Sequence, residues 1–201
     1  MEPYKVAIPI QEALRRGEGK VTLRGWVHRK RVLKEKIFIL LRDSTGVIQL
    51  VLPRDKFKDL EDLNLESALV VTGALVKEPR APGGVEMHVA SVDWVYRGEP
   101  YPINEDAVVA DSEYLLDVRH LWIRSRKMQA VLKIRHTVFG AIHEYFRKNG
   151  FYEVHPPMFI TAAVEGGATL FKVQYFDKIV YLTQSSQFYL EALIYGLEKV
   201  Y

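Results

Sequence analysis

Residues 182–193, LTQSSQFYLEAL, set two Gln, two Ser and a Tyr between an apolar run of strand type and a run of helix type. A core segment has no need for so many hydrogen-bonding groups side by side, whereas a pocket for a small polar molecule does. Ser185 and Gln187 fall where the strand pattern gives way to the helix pattern, so both can project into one site. Upstream, Glu165 precedes Gly166 and Gly167. Paired glycines suit a loop that closes over a ligand, and a carboxylate on such a loop can hold an ammonium group. The plain alternative is a surface loop. In the first half of the chain, Arg31, Phe38 and Gln49 lie on or beside β-rich runs. An aromatic face stacks on a base, Arg holds phosphate or a base edge, and Gln both donates and accepts. Here the plain alternative is that Phe38 is a core residue. The six His are scattered without metal-ligand spacing, so no metal site is read from them. No Ser/His/Asp order and no G-x-x-x-x-G-K phosphate loop stands out.

The first hundred residues read as strands. VTLRGWVHRKRV puts Val21, Leu23, Gly25 and Val27 on one face. KIFILLRD and GVIQLVLP flank a turn at residues 43–46, DSTG. ALVVTGALVKE and VEMHVASVDWVYRG flank a second turn, PRAPGG. Between these pairs KFKDLEDLNLES reads as a short helix. Five strands with a helix after the third is the order of an OB-fold barrel, although another small β-barrel would share the pattern. Residues 98–122 read as a linker, acidic and with little periodicity. A long helix follows, with Met128, Val131, Leu132, Val138, Phe139, Ile142 and Phe146 at helical spacing and Asn149-Gly150 as its stop. FYEVHPPMFI is β-rich and broken by a Pro pair. FKVQYFDKIVYLT reads as a hairpin turning at Asp177-Lys178, and SQFYLEALIYGLEKV as a helix. The expected fold is therefore α+β with two domains, residues 1–97 and 123–201, joined by 98–122.

Composition narrows the class. The chain is 48% hydrophobic and 26% charged, as soluble globular proteins are. It has no Cys, which excludes a disulfide scaffold and a thiol nucleophile and fits a reducing cytoplasm. The first twenty residues lack the apolar core of a signal peptide, and no apolar run is long enough to span a bilayer. Net charge is only +3, yet residues 15–36 carry nine Lys or Arg against two Glu. So concentrated a basic stretch points to a polyanion surface, with a solvated hairpin face as the alternative.

Several runs resemble a known family. VEGGATLFKVQYFDKIVYLTQSSQFYLEAL is similar to asparaginyl-tRNA synthetases of the archaeal and eukaryotic type. GFYEVHPPMF resembles the first signature motif of class II synthetases, with Pro157 at the motif's Pro. LLDVRHLWIRS resembles the hinge of the aspartyl, asparaginyl and lysyl subgroup, and GWVHRKRVLKEKIFILLRDSTGVIQLV its anticodon-binding OB domain. The resemblance implies an OB barrel followed by the first part of a class II catalytic domain, an antiparallel sheet with helices. It implies that Glu165 holds the α-ammonium of the amino acid and that Ser185 and Gln187 line its pocket. It implies that Arg31, Phe38 and Gln49 read the central U of an anticodon, and that the first motif, with Pro157, forms a homodimer interface. In aspartyl relatives the position of Leu190 holds a Lys that pairs with the substrate carboxylate. An apolar group there leaves a carboxylate uncompensated, a cost of several kcal/mol, so Leu190 favours asparagine.

By the same resemblance the chemistry is ligation of asparagine to tRNA(Asn) through an asparaginyl-adenylate, with ATP and Mg²⁺. The Arg residues of the second and third motifs that grip ATP normally come after residue 201. The chain is thus expected to be part of a longer synthetase, inactive alone, or a truncated relative that binds tRNA without catalysis. An aspartyl-tRNA synthetase or an asparagine-making relative is the remaining alternative. The OB half argues against the asparagine-making relative, since that reaction needs no anticodon reading.

Overall fold

Apolar residues at every second position, Val21 and Leu23 and then Val27, turn one face of the first strand inward. The computed structural model describes residues 6–103, 112–161 and 170–201. The chain divides into two units, Met1–Leu115 and Leu116–Tyr201.

In the first unit, α1 (Ile10–Arg16) precedes β1 (Gly19–Val32), β2 (Lys36–Arg42), β3 (Val47–Pro53), β4 (Ala68–Lys77) and β5 (Val85–Tyr96). The strands close into a barrel in the order β1-β2-β3-β5-β4. All neighbours are antiparallel except β3 and β5, which run parallel. The long β1 pairs with β4 through its first half and with β2 through its second, changing partners at Trp26. Inward-facing Val21, Leu23, Val27, Ile37, Ile39, Leu41, Ile48, Leu50 and Leu52 form one core with Leu69, Val71 and Met87. Two glycines permit the closest strand approaches. A Cβ at Gly25 would lie 2.4 Å from the Arg42 carbonyl oxygen, and one at Gly73 2.3 Å from that of His88.

Two short segments contribute further to this core. The sequence reading passed over α1, whose Ile10 and Ala13 are fully buried. Its start is held by the 43–46 turn: Ile10 N donates to Asp43 Oδ2 at 2.8 Å, while Asp43 Oδ1 accepts from the Thr45 and Gly46 amides. Gly17 ends it in the left-handed region, at φ 70. The helix expected in KFKDLEDLNLES is instead a single 3₁₀ turn, Lys58–Leu60, followed by turns. Leu60 and Leu63 are buried at a spacing of three, and the Glu61 and Leu63 carbonyls accept from Lys30 Nζ at 2.6 Å rather than from a helix.

The division between units falls within α2 (Ser112–Asp117), and α3 (Arg119–Trp122) follows, where an aperiodic linker was expected. The second unit continues with α4 (Arg126–Lys148), β6 (Phe159–Ile160), β7 (Lys172–Tyr175), β8 (Lys178–Leu182) and α5 (Gln187–Leu197). Ser125 caps α4, its Oγ accepting from Met128 N. The sheet order is β6-β8-β7, all antiparallel. The hairpin turns at Phe176-Asp177, one residue earlier than expected, with Phe176 at φ 54. That register pairs Val173 with Val180 and leaves Val180 buried. The helix at 187 ends at Leu197, before the expected end, and Val200 bridges Tyr152 instead. Among the described residues after Leu115, only Ile160 and Val180 are buried. The expected apolar stripe of α4 is present but stands partly exposed, Val138 at 51% and Phe139 at 56%.

Candidate nucleic-acid interface and amino-acid segment

Alternation along β2 puts Ile37 and Ile39 inside the barrel, so Phe38 faces outward, half-buried. Register does the rest. Arg31 pairs with Phe38, Phe38 with Val51, and Leu40 with Gln49. Parallel pairing then adds Glu86 beside Gln49. Arg31, Phe38 and Gln49 line one open groove of about 730 Å³ with Arg29, Lys36, Val51, Arg80 and Glu86. The structure thus brings together the three side chains proposed from the sequence for base reading, and Phe38 lies outside the core cluster.

The charges of the groove are not all equivalent. Lys30 points its ammonium at two backbone carbonyls, and desolvation pushes its pKa down. It fastens β1 to the 58–63 segment. Arg80 makes a two-pronged contact with Glu78, which holds that carboxyl below its ordinary range. Arg31 has no ion pair or side-chain hydrogen bond among the described residues, so its guanidinium is available to a phosphate or base edge. Glu86 is engaged on both oxygens: Gln49 Nε2 donates to one at 2.8 Å, and His88 Nε2 lies 2.8 Å from the other. Glu86, His88 and Arg80 escaped the sequence reading. The signal was the alternation in VEMHV, which becomes informative only once β5 is known to lie beside β3.

In the second unit, Thr183, Ser185 and Gln187 form the join between β8 and α5. Thr183 Oγ1 donates to the Ser185 carbonyl at 2.6 Å, and Gln187 N donates to Ser185 Oγ at 3.1 Å. The Ser185 hydroxyl therefore helps to start the helix, and its own proton is left to another acceptor. Gln187 and Leu190 stand three apart on one helical face, Gln187 exposed and Leu190 half-buried. Glu165 lies outside the described residues. Pro157 is exposed ahead of β6, beside Met158 at 68% and Phe159 at 49% exposure. Among the described residues no group of three His, Asp or Glu side chains is placed to hold a metal ion. No helix among the described residues is long and apolar enough to cross a membrane.

Comparison with known proteins matches both units. Residues 21–94 fit the model for the OB-fold nucleic acid binding domain, and residues 111–201 the model for class II tRNA synthetases (D, K and N). The asparagine–tRNA ligase of Thermococcus kodakarensis is 45% identical over 90% of this chain and 42% of its own length. An aspartate–tRNA(Asp/Asn) ligase of Archaeoglobus fulgidus is 40% identical over 90% of the chain and 44% of its own length. The crystal structure of asparaginyl-tRNA synthetase from Pyrococcus horikoshii complexed with asparaginyl-adenylate matches with a TM-score of 0.90 and 44% identity. That match covers 96% of this chain and 46% of that one. The chain thus spans less than half the length of the relatives it matches. Residues 21–94 are thus OB-fold nucleic-acid-binding sequence, and residues 111–201 are sequence of the class II tRNA synthetases (D, K and N).

Proposed function

We propose that this chain serves an asparagine–tRNA ligase, the barrel reading the anticodon of tRNA(Asn) and the second unit contributing to the asparagine pocket. The observation that carries the reading is the groove in which Arg31, Phe38 and Gln49 meet on the outer face of the barrel. Phe38 offers a stacking surface, Arg31 a cation, and Gln49 an amide for the base edge. The resemblance that named these residues for the central U is supported by 45% identity to an asparagine–tRNA ligase.

In the second unit, Ser185 and Gln187 hold the polar groups of the amino acid, Glu165 its ammonium, and Leu190 faces its side chain. An amide side chain is satisfied by neutral hydrogen bonds, whereas a carboxylate beside Leu190 lacks a cation. ATP is the second substrate of the ligation and Mg²⁺ its usual companion. Mg²⁺ would neutralise phosphate charge as the α-carboxylate attacks the α-phosphorus and pyrophosphate leaves. The reaction places the protein in the cytoplasm with its tRNA. The exposed Pro157, Met158 and Phe159 and the exposed stripe of α4 are proposed to be covered by a second copy of the chain.

The test is titration of the 201-residue chain with an RNA stem-loop carrying the anticodon of tRNA(Asn), at low and moderate salt. Binding that weakens as salt rises, and that weakens when the central U is replaced, is the expected result. Equal affinity for a stem-loop of unrelated anticodon overturns the reading.

A further inference from the structure

Thr183 follows the last residue of β8, and its hydroxyl bonds forward along the chain rather than across the sheet. A hydroxyl has one proton to donate and can also accept, and here both capacities serve the same residue. Thr183 Oγ1 donates to the Ser185 carbonyl at 2.6 Å and accepts from the Ser185 amide at 3.2 Å. Both backbone polar groups of Ser185 are therefore held by one side chain. Thr183 is itself fastened to the sheet: its amide donates to the Met158 carbonyl at 2.9 Å, next to the pairing of Phe159 with Leu182.

From Ser185 the order passes on. Ser185 Oγ accepts from Gln187 N at 3.1 Å, and the Ser186 carbonyl accepts from the Tyr189 and Leu190 amides, closing the first turn of α5. Residues 183–186 belong to neither strand nor helix, so no repeating ladder fixes them. The Thr183 hydroxyl supplies the missing backbone partners. Threonine suits the task, because its branched Cβ restricts χ1 and keeps Oγ1 aimed. Serine has the hydroxyl without that restraint, and valine has the shape without the bonds.

We propose that Thr183 is a positioning residue for the amino-acid pocket, setting where the Ser185 hydroxyl and the Gln187 side chain stand and acting through Ser185 rather than on the substrate. This rests on the assignment of Ser185 and Gln187 to asparagine given above. Hydrogen bonds weaken steeply with misalignment, so releasing residue 185 from the sheet loosens the hold on asparagine. ATP is not held by these two side chains in that assignment, and its binding should not change.

The experiment uses a chimera in which these 201 residues replace the corresponding part of the Pyrococcus horikoshii asparaginyl-tRNA synthetase. ATP–pyrophosphate exchange gives KM for asparagine and for ATP separately, and a thermal melt is recorded for each variant. Thr183→Val should raise KM for asparagine about tenfold, with KM for ATP and the melting temperature unchanged. Thr183→Ser should restore most of the loss. Ser185→Ala and Gln187→Ala serve as references and should each raise KM for asparagine. An unchanged KM in T183V, where the references raise it, overturns the role of Thr183 alone. So does a rise in both KM values together, or a T183S variant no better than T183V. If neither S185A nor Q187A alters KM for asparagine, the pocket assignment falls and this inference with it.

Discussion

Arg31 and Phe38 face each other in direct register across the β1–β2 pair, on the outer side of a barrel whose core neither enters. The pairing joins a cation with no partner among the described residues to a half-buried ring, the two ingredients of a stacking site for a charged base-bearing chain.

Removing the ring tests that site. Phe38→Ala should weaken binding of the anticodon stem-loop by about 1–3 kcal/mol while leaving the melting temperature within about a degree or two, since Phe38 is not part of the core. Fluorescence anisotropy and a thermal melt on the same samples decide it. Undiminished binding would remove Phe38 from the interface.

Leu190 is tested by a chimera in which these 201 residues replace the corresponding part of the Pyrococcus horikoshii asparaginyl-tRNA synthetase. ATP–pyrophosphate exchange should strongly prefer asparagine over aspartate. Leu190→Lys should erode that preference by supplying a cation for the carboxylate. Should the unaltered chimera prefer aspartate, the specificity assigned to Leu190 would be wrong.

Gly73→Ala probes barrel closure. The added Cβ would sit 2.3 Å from the His88 carbonyl oxygen and 2.9 Å from Met87 Cγ, so backbone must move. A loss of about 1–3 kcal/mol in chemical unfolding is expected, as for other overpacked positions. A substitution in open space, Gly140→Ala in α4, should instead be neutral or stabilising. Comparable losses at both positions would refute the steric account.

Acid should weaken the barrel in a defined way. The hydrogen bond from Arg54 holds Glu61 below its ordinary carboxyl value of 4.5, and that from Arg97 holds Asp62 below 3.8. A carboxyl depressed by folding contributes stability that is complete above its unfolded pKa and is lost as pH falls through its folded one. Melting temperature should therefore drop on acidification below about pH 4.5, and Glu61→Gln should make the drop shallower. Superimposable pH profiles for the two proteins would contradict this.

Much of this was legible in the order of the residues. Alternation at Val21, Leu23 and Val27 announced a strand with one buried face, and two turn clusters set the strand count. What escaped shares a cause. Seven-residue α1 needs only Ile10 and Ala13 to be buried, too short a pattern to separate from a loop. The helix expected in 56–67 failed because Leu60 and Leu63 at a spacing of three serve a 3₁₀ turn as well as a helix. The hairpin turn slipped by one residue because Phe176, not a small or polar residue, takes the positive φ. In the groove, Arg31, Phe38 and Gln49 were named by their types and by resemblance. Glu86 was not, because its partner is 37 positions away and reaches it through the one parallel pairing of the barrel. Pairing across that distance leaves no local trace.

The barrel becomes topologically closed when β5, ending at Tyr96, lies beside β4. Its core cluster lies entirely within residues 10–89. During synthesis, domains fold in the order in which they leave the ribosome. The barrel can therefore reach its final form while α4 is still being threaded out. The segment that follows carries apolar side chains that its own unit leaves in contact with solvent, Ile134 at 63% and Phe139 at 56%. A newborn chain thus presents a finished, self-supporting head and an adhesive body behind it. Its exposure to chaperones and to misassociation is concentrated in the interval after the barrel has already folded.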